Sequence, residues 1–228
     1  MILKGLQKLT LLDFPGRIGA TVFTGGCNLR CPFCHNASLV IPEKFGETLP
    51  KEEFFSFLKK RRGMLEGVTV SGGEPTLYPD LPEFIEGIRE LGYLVKLDTN
   101  GTNSDMLSSL IEKGLLDYVA MDIKSSKDGY PRAVGLEGYN LDNVEKSVKI
   151  LREGKVDFEF RTTVVRELHE KEDVEEIGKW LAGDEKFFLQ TFRDSGDLIG
   201  TGYSAYSEGE MQSLLEIVRK YLPKAELR

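Results

Sequence analysis

Six short runs rich in β-branched and aromatic residues alternate along this chain with longer stretches of helical periodicity. The predicted strands are residues 18–24, 67–71, 94–98, 117–122, 157–164 and 186–191. The predicted helices are residues 50–62, 80–91, 104–113, 141–152, 172–182 and 207–221. This alternation favours a parallel sheet with right-handed crossovers, either doubly wound or curled into a barrel. Because about six units are too few for a closed eight-stranded barrel, we predict an α/β fold built as a partial, open parallel βα barrel with a C-terminal helix.

The chain of 228 residues is predicted to form a single domain. We place the core barrel at about residues 17–192 and a C-terminal extension with a helix at residues 193–228. A formal net charge of −7 argues against nucleic acid as a main partner, because phosphate binding needs a basic surface. The apolar runs near the N-terminus are too short for a signal peptide or a membrane span. We therefore expect no membrane association and a cytoplasmic location, where thiols stay reduced.

Residues with distinctive chemistry follow the carboxyl ends of the predicted strands. They are Gly25 and Gly26 with the cysteines that come after them, Ser71 to Pro75, Asp98 to Gly101, Asp122, Lys124 and Gln190. In barrels and open α/β sheets, the loops at this edge build active sites. Each segment alone is compatible with an ordinary turn or a solvated side chain, but their convergence on one edge predicts a functional site there.

All three cysteines lie in the sequence GGCNLRCPFCHN, residues 25–36. Cys31 and Cys34 fit a thioredoxin-like redox pair, and residues 31–35 also fit the haem-attachment pattern C-x-x-C-H. A reducing compartment weakens both the disulfide and the haem interpretation. The redox pair also leaves Cys27 without a role.

Zinc is a further alternative for this segment, with Cys27, Cys31, Cys34 and His35 as its ligands. A structural zinc site needs four ligands, and the neighbouring residues Cys34 and His35 cannot easily both face one tetrahedral ion. The only other histidine, His169, stands in a polar segment and is predicted to lie at the surface.

The spacing C-x3-C-x2-C could also hold an iron–sulfur cluster through three of its irons, which leaves one iron open to a chelating ligand. Gly72, Gly73 and Glu74 could supply the second half of such a site. Glycines let the backbone approach a ligand closely, and a glutamate can accept hydrogen bonds from a cationic amine. The two features together are far more specific than either one.

Together, these motifs resemble the radical S-adenosylmethionine superfamily. The resemblance rests on C-x3-C-x2-C after the first strand, an aromatic residue (Phe33) before the last cysteine, and GGE after the second strand. Three further stretches, CPFCHN, LDTNG and MDIK, resemble glycyl-radical-enzyme activases. The opening LKGLQKLTLLDFPG is similar to the branch of anaerobic ribonucleoside-triphosphate reductase activating proteins.

The resemblance implies a [4Fe–4S] cluster, whose open iron binds the amino and carboxylate groups of S-adenosylmethionine. The implied cluster ligands are Cys27, Cys31 and Cys34. The implied contacts to S-adenosylmethionine are Phe33, Gly72, Gly73, Glu74, Asp98 and Lys124. A monovalent-cation site is implied at Asp98, Thr99 and Asp122, with the backbone of Ala120.

The chain departs from the activase pattern at one position. Related activases place a histidine that touches the adenosyl group after the sixth strand, where this chain has Gln190, Thr191 and Phe192. Arg161 could face the cofactor, contact the partner's glycine loop or form a structural ion pair. No residue is expected to act as a catalytic acid or base, and His35, next to Cys34, is expected to form a hydrogen bond beside the cluster ligands or to shape the cysteine loop.

The resemblance also implies a reaction. A one-electron donor such as flavodoxin or ferredoxin reduces the cluster, S-adenosylmethionine is cleaved, and a 5′-deoxyadenosyl radical removes a hydrogen atom from one glycine of a partner enzyme. The expected partner is a glycyl radical enzyme, in particular anaerobic ribonucleotide reductase. The long connection at residues 125–140 is predicted to be a docking surface or lid for that partner. With no further cysteine, the chain can hold only one such cluster.

Three alternatives remain open at this point. The chain could activate another glycyl radical enzyme, such as pyruvate formate-lyase. It could be a radical S-adenosylmethionine enzyme that acts on a small molecule, as in deazapurine synthesis. It could also be a thiol-redox or zinc-binding module without radical chemistry.

Overall fold

The computed structural model describes all residues from 1 to 228. One eight-stranded sheet contains the strands in their order along the chain, and its first and last strands are not paired with each other. The strands are β1 (Leu3–Thr10), β2 (Gly19–Thr24), β3 (Gly67–Gly72), β4 (Leu94–Thr99), β5 (Tyr118–Asp122), β6 (Asp157–Val164), β7 (Phe187–Thr191) and β8 (Glu226–Leu227). β1 is antiparallel to β2, and every other neighbouring pair is parallel. Since each strand adds to the same side of the sheet, the chain builds an open barrel wall.

Eight α-helices accompany the strands. They are α1 (Ala37–Val40), α2 (Lys51–Lys60), α3 (Leu81–Glu90), α4 (Ser104–Glu112), α5 (Tyr130–Val134), α6 (Asp142–Arg152), α7 (Lys171–Trp180) and α8 (Glu208–Arg219). All six predicted helices are confirmed, with ends that differ by no more than two residues. The helices α1 and α5, of 4 and 5 residues, were not predicted, because they are too short to show a periodic pattern.

The six predicted strands are also confirmed, and the sheet gains one strand at each edge. β1 was missed because its side chains are mostly exposed or half-buried and do not alternate cleanly. β8 was missed because it has only two residues. The sheet therefore extends beyond residues 17–192, the core that we predicted.

Helix α3 illustrates how the helices cover the sheet. Leu81, Phe84, Ile85 and Ile88 recur at spacings of three and four residues, so they share one face, and all are buried. Burial of each such side chain stabilises the fold by about 1.5–3 kcal/mol relative to exposure. The helix ends just before Gly92, whose φ of +89° suits glycine and reverses the chain toward β4. No helix of the protein is long and apolar enough to cross a lipid bilayer.

Candidate active site

A cavity of about 420 Å³ lies on the inner side of the curled sheet. Its walls include Gln7 on β1 and Gln190 on β7, so strands near both edges of the sheet face the same space. The predicted residues that line it are Cys27, Cys31, Phe33, Cys34, Gly72, Gly73, Glu74, Asp98, Thr99, Asp122, Lys124 and Arg161. One cavity therefore brings together the residues that the sequence proposed for cofactor and cation binding, except Ala120, which was proposed for its backbone, is buried in β5 and does not line the cavity.

The three cysteines are free thiols. Burial raises the pKa of Cys27 to about 11 and that of Cys31 to about 12, and it also raises the pKa of Cys34. Without a metal, these thiols are protonated at neutral pH, so metal binding must release their protons. The backbone N–H of Leu29 and the side-chain amide of Asn100 donate to the Cys27 sulfur at 3.4 and 3.7 Å.

The zinc interpretation of the cysteines finds no support in this geometry. No three His, Cys, Asp or Glu side chains lie close enough together to hold a single metal ion, so a zinc ligand set is missing. The donor set of three thiols on one cavity wall fits an iron–sulfur cluster, in which each thiolate binds a different iron.

Gly72 and Gly73 allow the loop after β3 to pack closely against the segment that leads to the cysteines. The backbone N–H groups of Gly73 and Glu74 donate to the carbonyl oxygens of Thr24 and Gly26 at 2.9 and 2.8 Å. A Cβ atom on Gly73 would lie 1.9 Å from the Gly26 oxygen, and one on Gly72 would lie 2.3 Å from the Thr24 backbone. Gly72 also has a φ of +124°. These glycines are thus required for backbone packing, a role that the sequence interpretation, which concerned only the ligand, did not include.

Glu74 is fully buried, and its carboxylate accepts hydrogen bonds from neutral donors only. Oε1 accepts hydrogen bonds from the Thr76 N–H, the Thr76 hydroxyl and the Thr99 hydroxyl at 3.1, 2.6 and 2.8 Å. Oε2 accepts only the backbone N–H of Asn100, at 2.7 Å. Burial raises the pKa of Glu74, and the ion pairs of the cavity involve other carboxylates. A buried carboxylate with one oxygen only partly used and no cationic partner fits the amine of S-adenosylmethionine.

A network of ion pairs forms the floor of the cavity. Asp122 lies 2.9 Å from both Lys124 Nζ and Arg161 Nη2. Arg161 Nη1 also lies 3.7 Å from Asp98, whose other oxygen contacts Lys96. Burial alone would raise the pKa of Asp122, but the charges of Arg161 and Lys124 lower it overall. Both carboxylates predicted for a monovalent cation are therefore paired with cationic side chains, and that cation site remains a prediction.

The sequence interpretation overlooked Lys96, whose side chain is almost completely buried. It stands two residues before Asp98 on β4, so both side chains point to the same face of the sheet. A lysine inside an apolar strand, two positions from an aspartate, could have indicated this pair. For Arg161, the structure contains the ion pair that we considered, and the side chain also lines the cavity.

The prediction for His169 is wrong, because this residue is completely buried rather than at the surface. Its two ring nitrogens lie 3.0 Å from the Val165 nitrogen and 2.7 Å from the Lys124 carbonyl oxygen. A polar sequence context suggested exposure, but two backbone partners satisfy the imidazole in the interior.

A segment beyond β7, residues 195–200, covers the cysteine loop from outside, and we call it the clasp. The sequence indicated only an extension here. The clasp makes three hydrogen bonds with the cysteine loop and two with the start of α1, all of 2.7–3.3 Å. They are Ser195 Oγ to His35 O, Ile199 N to Cys34 O and Gly200 N to Pro32 O in the loop, and Ala37 N to Asp197 O and Ser38 N to Asp197 Oδ2 in the helix. Ile199 also lines the cavity, close to the loop that it holds.

The connection at residues 125–140 is packed against the barrel over much of its length. Tyr130, Ala133 and Val134 in α5 are buried, and the Val134 carbonyl accepts the backbone N–H of Arg30 at 3.0 Å. The remaining part, residues 135–140, is exposed or half-buried. A role of this part as lid or docking surface remains a prediction.

Comparisons with known proteins agree with this geometry. The sequence model of the radical SAM superfamily matches residues 21–181. The chain is 32% identical over 233 residues to a Methanocaldococcus jannaschii protein provisionally named a glycyl-radical enzyme activating enzyme, a match that covers 100% of this chain and 95% of that protein. It is 31% identical over 154 residues to the pyruvate formate-lyase-activating enzyme of Clostridium pasteurianum, with 63% of this chain and 61% of that enzyme covered.

The fold has counterparts among solved structures. Streptococcus suis SuiB bound to S-adenosylmethionine aligns with a TM-score of 0.68 at 17% identity, over 90% of this chain and 48% of that one. This likeness confirms the predicted open βα barrel. The family match covers more than half of the chain, and the cavity unites three cysteines with a buried glutamate loop. The chain is therefore an enzyme of the radical SAM superfamily, whose members use a [4Fe–4S] cluster and S-adenosylmethionine.

Proposed function

We propose that this protein is an activating enzyme that generates a glycyl radical on a partner enzyme, and that the partner is an anaerobic ribonucleoside-triphosphate reductase. The observation that carries the proposal is the match with the Methanocaldococcus jannaschii activating enzyme, which spans the whole of this chain and nearly all of that protein. The similarity of the opening sequence, residues 3–16, to the reductase-activating branch supports the choice of partner. We further propose flavodoxin or ferredoxin as the electron donor.

In this proposal, the chain binds and orients its cofactors and keeps water away from them. Cys27, Cys31 and Cys34, which line the cavity, would hold the cluster. Glu74, buried and without a cationic partner, receives the amine of S-adenosylmethionine. When bound, the cluster and S-adenosylmethionine supply a one-electron cleavage whose product removes a hydrogen atom from a glycine Cα of the partner.

The other cavity residues have supporting roles in the same proposal. Lys124 and Asp98, which line the cavity, would contact the methionine or ribose part of S-adenosylmethionine, and the backbone at Phe33 would meet the adenine. Lys124 and Asp98 are each held by a further ion pair, so their side chains are fixed before the ligand arrives. No side chain of the cavity needs to transfer a proton, because the reaction moves an electron and a hydrogen atom.

Electron paramagnetic resonance tests the proposal directly. The anaerobically reconstituted protein is reduced chemically and incubated with S-adenosylmethionine and the anaerobic ribonucleotide reductase of its host. We expect a glycine-centred doublet on the reductase, which is absent when S-adenosylmethionine is omitted or when the Cys31→Ser variant is used. A cluster signal that responds to S-adenosylmethionine without any glycyl radical would reject the reductase as partner.

Pyruvate formate-lyase is the second candidate partner, because the chain also matches a pyruvate formate-lyase-activating enzyme at 31% identity. The same experiment with pyruvate formate-lyase in place of the reductase separates the two. A doublet on the lyase alone would transfer the proposed function to that enzyme. Cleavage of S-adenosylmethionine that depends on a small molecule and on no protein would instead favour the small-molecule alternative.

A further inference from the structure

His169 joins the ends of two neighbouring strands through its imidazole ring. Nδ1 accepts the backbone N–H of Val165, just after β6, at 3.0 Å. Nε2 lies 2.7 Å from the carbonyl oxygen of Lys124, just after β5. Because a carbonyl oxygen only accepts, Nε2 must carry the hydrogen, and the ring is the neutral Nε2–H tautomer. The hydrogen bonds thus fix both the orientation and the tautomer of the ring.

The same imidazole touches the cysteine loop. Its ring centroid lies 6.1 Å from that of Phe33, and the two planes meet edge to face at 79°. Phe33 is buried and stands between Cys31 and Cys34. A shift of the imidazole would therefore move the loop that carries two of the three thiols.

The second contact of the His169 ring, its hydrogen bond to the Lys124 carbonyl, holds a residue that lines the cavity. The Lys124 ammonium group lies 2.9 Å from Asp122, in the cavity that the cysteines also line. Fixing the backbone of a residue limits where its side chain can place a charge. The imidazole therefore connects the position of the Lys124 ammonium to the position of the cysteine loop.

We propose that His169 is a positioning residue for S-adenosylmethionine, which it aligns by holding the Lys124 carbonyl and the Phe33 ring in a fixed relation. The proposal goes beyond the proposed function and depends only on the cofactors of the superfamily. A different partner enzyme would leave it intact. A merely structural histidine would affect stability and leave the affinity for S-adenosylmethionine unchanged.

Two substitutions separate the two hydrogen bonds of the ring. In His169→Asn, the amide oxygen can take the place of Nδ1 and keep the Val165 bond, but the side chain is too short to reach the Lys124 carbonyl. In His169→Gln, the amide nitrogen can take the place of Nε2 and keep the Lys124 bond. We expect His169→Asn to weaken the binding of S-adenosylmethionine roughly tenfold or more, the size typical of residues that orient a binding group. Both variants lose the ring contact with Phe33, so their difference reports on the Lys124 bond, and His169→Gln, which retains that bond, should stay within about threefold of the wild type.

The affinity is measured by titrating S-adenosylmethionine into the reduced, reconstituted protein and following the change in the cluster's paramagnetic signal. Iron content and melting temperature are recorded for each variant. Tyr206→Phe is the matched control, because it removes the 2.7 Å hydrogen bond to the His169 carbonyl and leaves the imidazole untouched. We expect this control to lower the melting temperature while the affinity stays within about twofold.

A double-mutant cycle tests whether His169 acts through Lys124. In a Lys124→Met background, His169→Asn should weaken binding by no more than about twofold further, because the group that it positions is gone. Fully additive effects would overturn the proposal, and so would a wild-type affinity in His169→Asn. If His169→Asn does not fold, His169→Gln still tests the proposal. A roughly tenfold loss of affinity for S-adenosylmethionine in His169→Gln would contradict the role of the Lys124 bond. None of these measurements needs the partner enzyme.

Discussion

The Glu74 carboxylate accepts the backbone N–H of Asn100 at 2.7 Å, and this bond ties the loop after β3 to the loop after β4. Asn100 in turn donates its side-chain amide to the Cys27 sulfur at 3.7 Å. The glutamate loop, the loop after β4 and the first cysteine are therefore joined by two consecutive contacts. The negative charge of the Glu74 carboxylate is buried, and no cationic side chain is paired with it.

The first prediction concerns this charge. Glu74→Gln keeps the size of the side chain and removes the charge, so it should weaken S-adenosylmethionine binding by roughly tenfold or more, the loss expected for a charge-assisted hydrogen bond. Titration of the reduced protein, followed by paramagnetic resonance, measures the effect. Thr76→Val is the control, since it removes one neutral hydroxyl donor to Oε1 and retains the carboxylate. Equal losses in the two variants would contradict a specific role of the charge.

The second prediction concerns Gly73. A Cβ atom at this position would lie 1.9 Å from the Gly26 carbonyl oxygen, and a backbone atom cannot move aside by changing rotamer. Gly73→Ala should therefore cost about 3 kcal/mol or more in the free energy of unfolding and reduce the iron content after reconstitution. Urea unfolding and iron analysis test this expectation. Gly46→Ala should be almost neutral, because its Cβ would meet no atom within 4 Å. Similar stabilities of both variants would show that the two loops can separate without cost.

Much of the fold could be predicted because its central strands are buried on both faces. Val68, Val70, Val95 and Leu97 are completely buried, so β3 and β4 show large apolar residues at every second position, with the buried Thr69 and Lys96 between them. The site could be predicted for a related reason. Parallel strands place their carboxyl ends at one edge of the sheet, so distinctive residues that follow different strands must meet there.

The parts that were missed depend on contacts between distant segments. The clasp is held by hydrogen bonds such as Ser195 Oγ to the His35 carbonyl, which joins residues 160 positions apart and leaves no local pattern. His169 has charged and polar neighbours in the sequence, and only the folded chain supplies the two backbone partners that bury it. The glycine pair was noticed, but its backbone contact with Gly26 could not be known before the two loops were placed.

The third prediction concerns the clasp. Asp197 accepts the backbone N–H of Ser38 through Oδ2 at 2.8 Å, at the start of α1, directly behind the cysteine loop. Asp197→Ala should lower the free energy of unfolding by about 1 kcal/mol and speed the loss of iron to a chelator several-fold. Asp194→Ala is the matched control, because Asp194 accepts only the Gly196 N–H within its own segment. Equal rates of iron loss in these two variants would mean that the clasp does not protect the cluster.

The last prediction concerns the dependence of stability on pH. Burial lowers the pKa of His169 below its ordinary value of 6.5, so the folded state prefers the neutral ring. Below pH 6.5, the His169 imidazole of the unfolded chain binds a proton, whereas that of the folded chain stays neutral. The free energy of unfolding should therefore decrease, as the pH is lowered, by up to about 1.4 kcal/mol per pH unit. Most carboxylates titrate at lower pH, and the buried Glu74 carboxyl and the His35 imidazole are present in the wild type and in the His169→Gln variant alike, so the difference between the two proteins from pH 7 to 5 reports on His169. Urea unfolding of His169→Gln should show a smaller loss across this range than the wild type, and parallel curves would place the titrating group elsewhere.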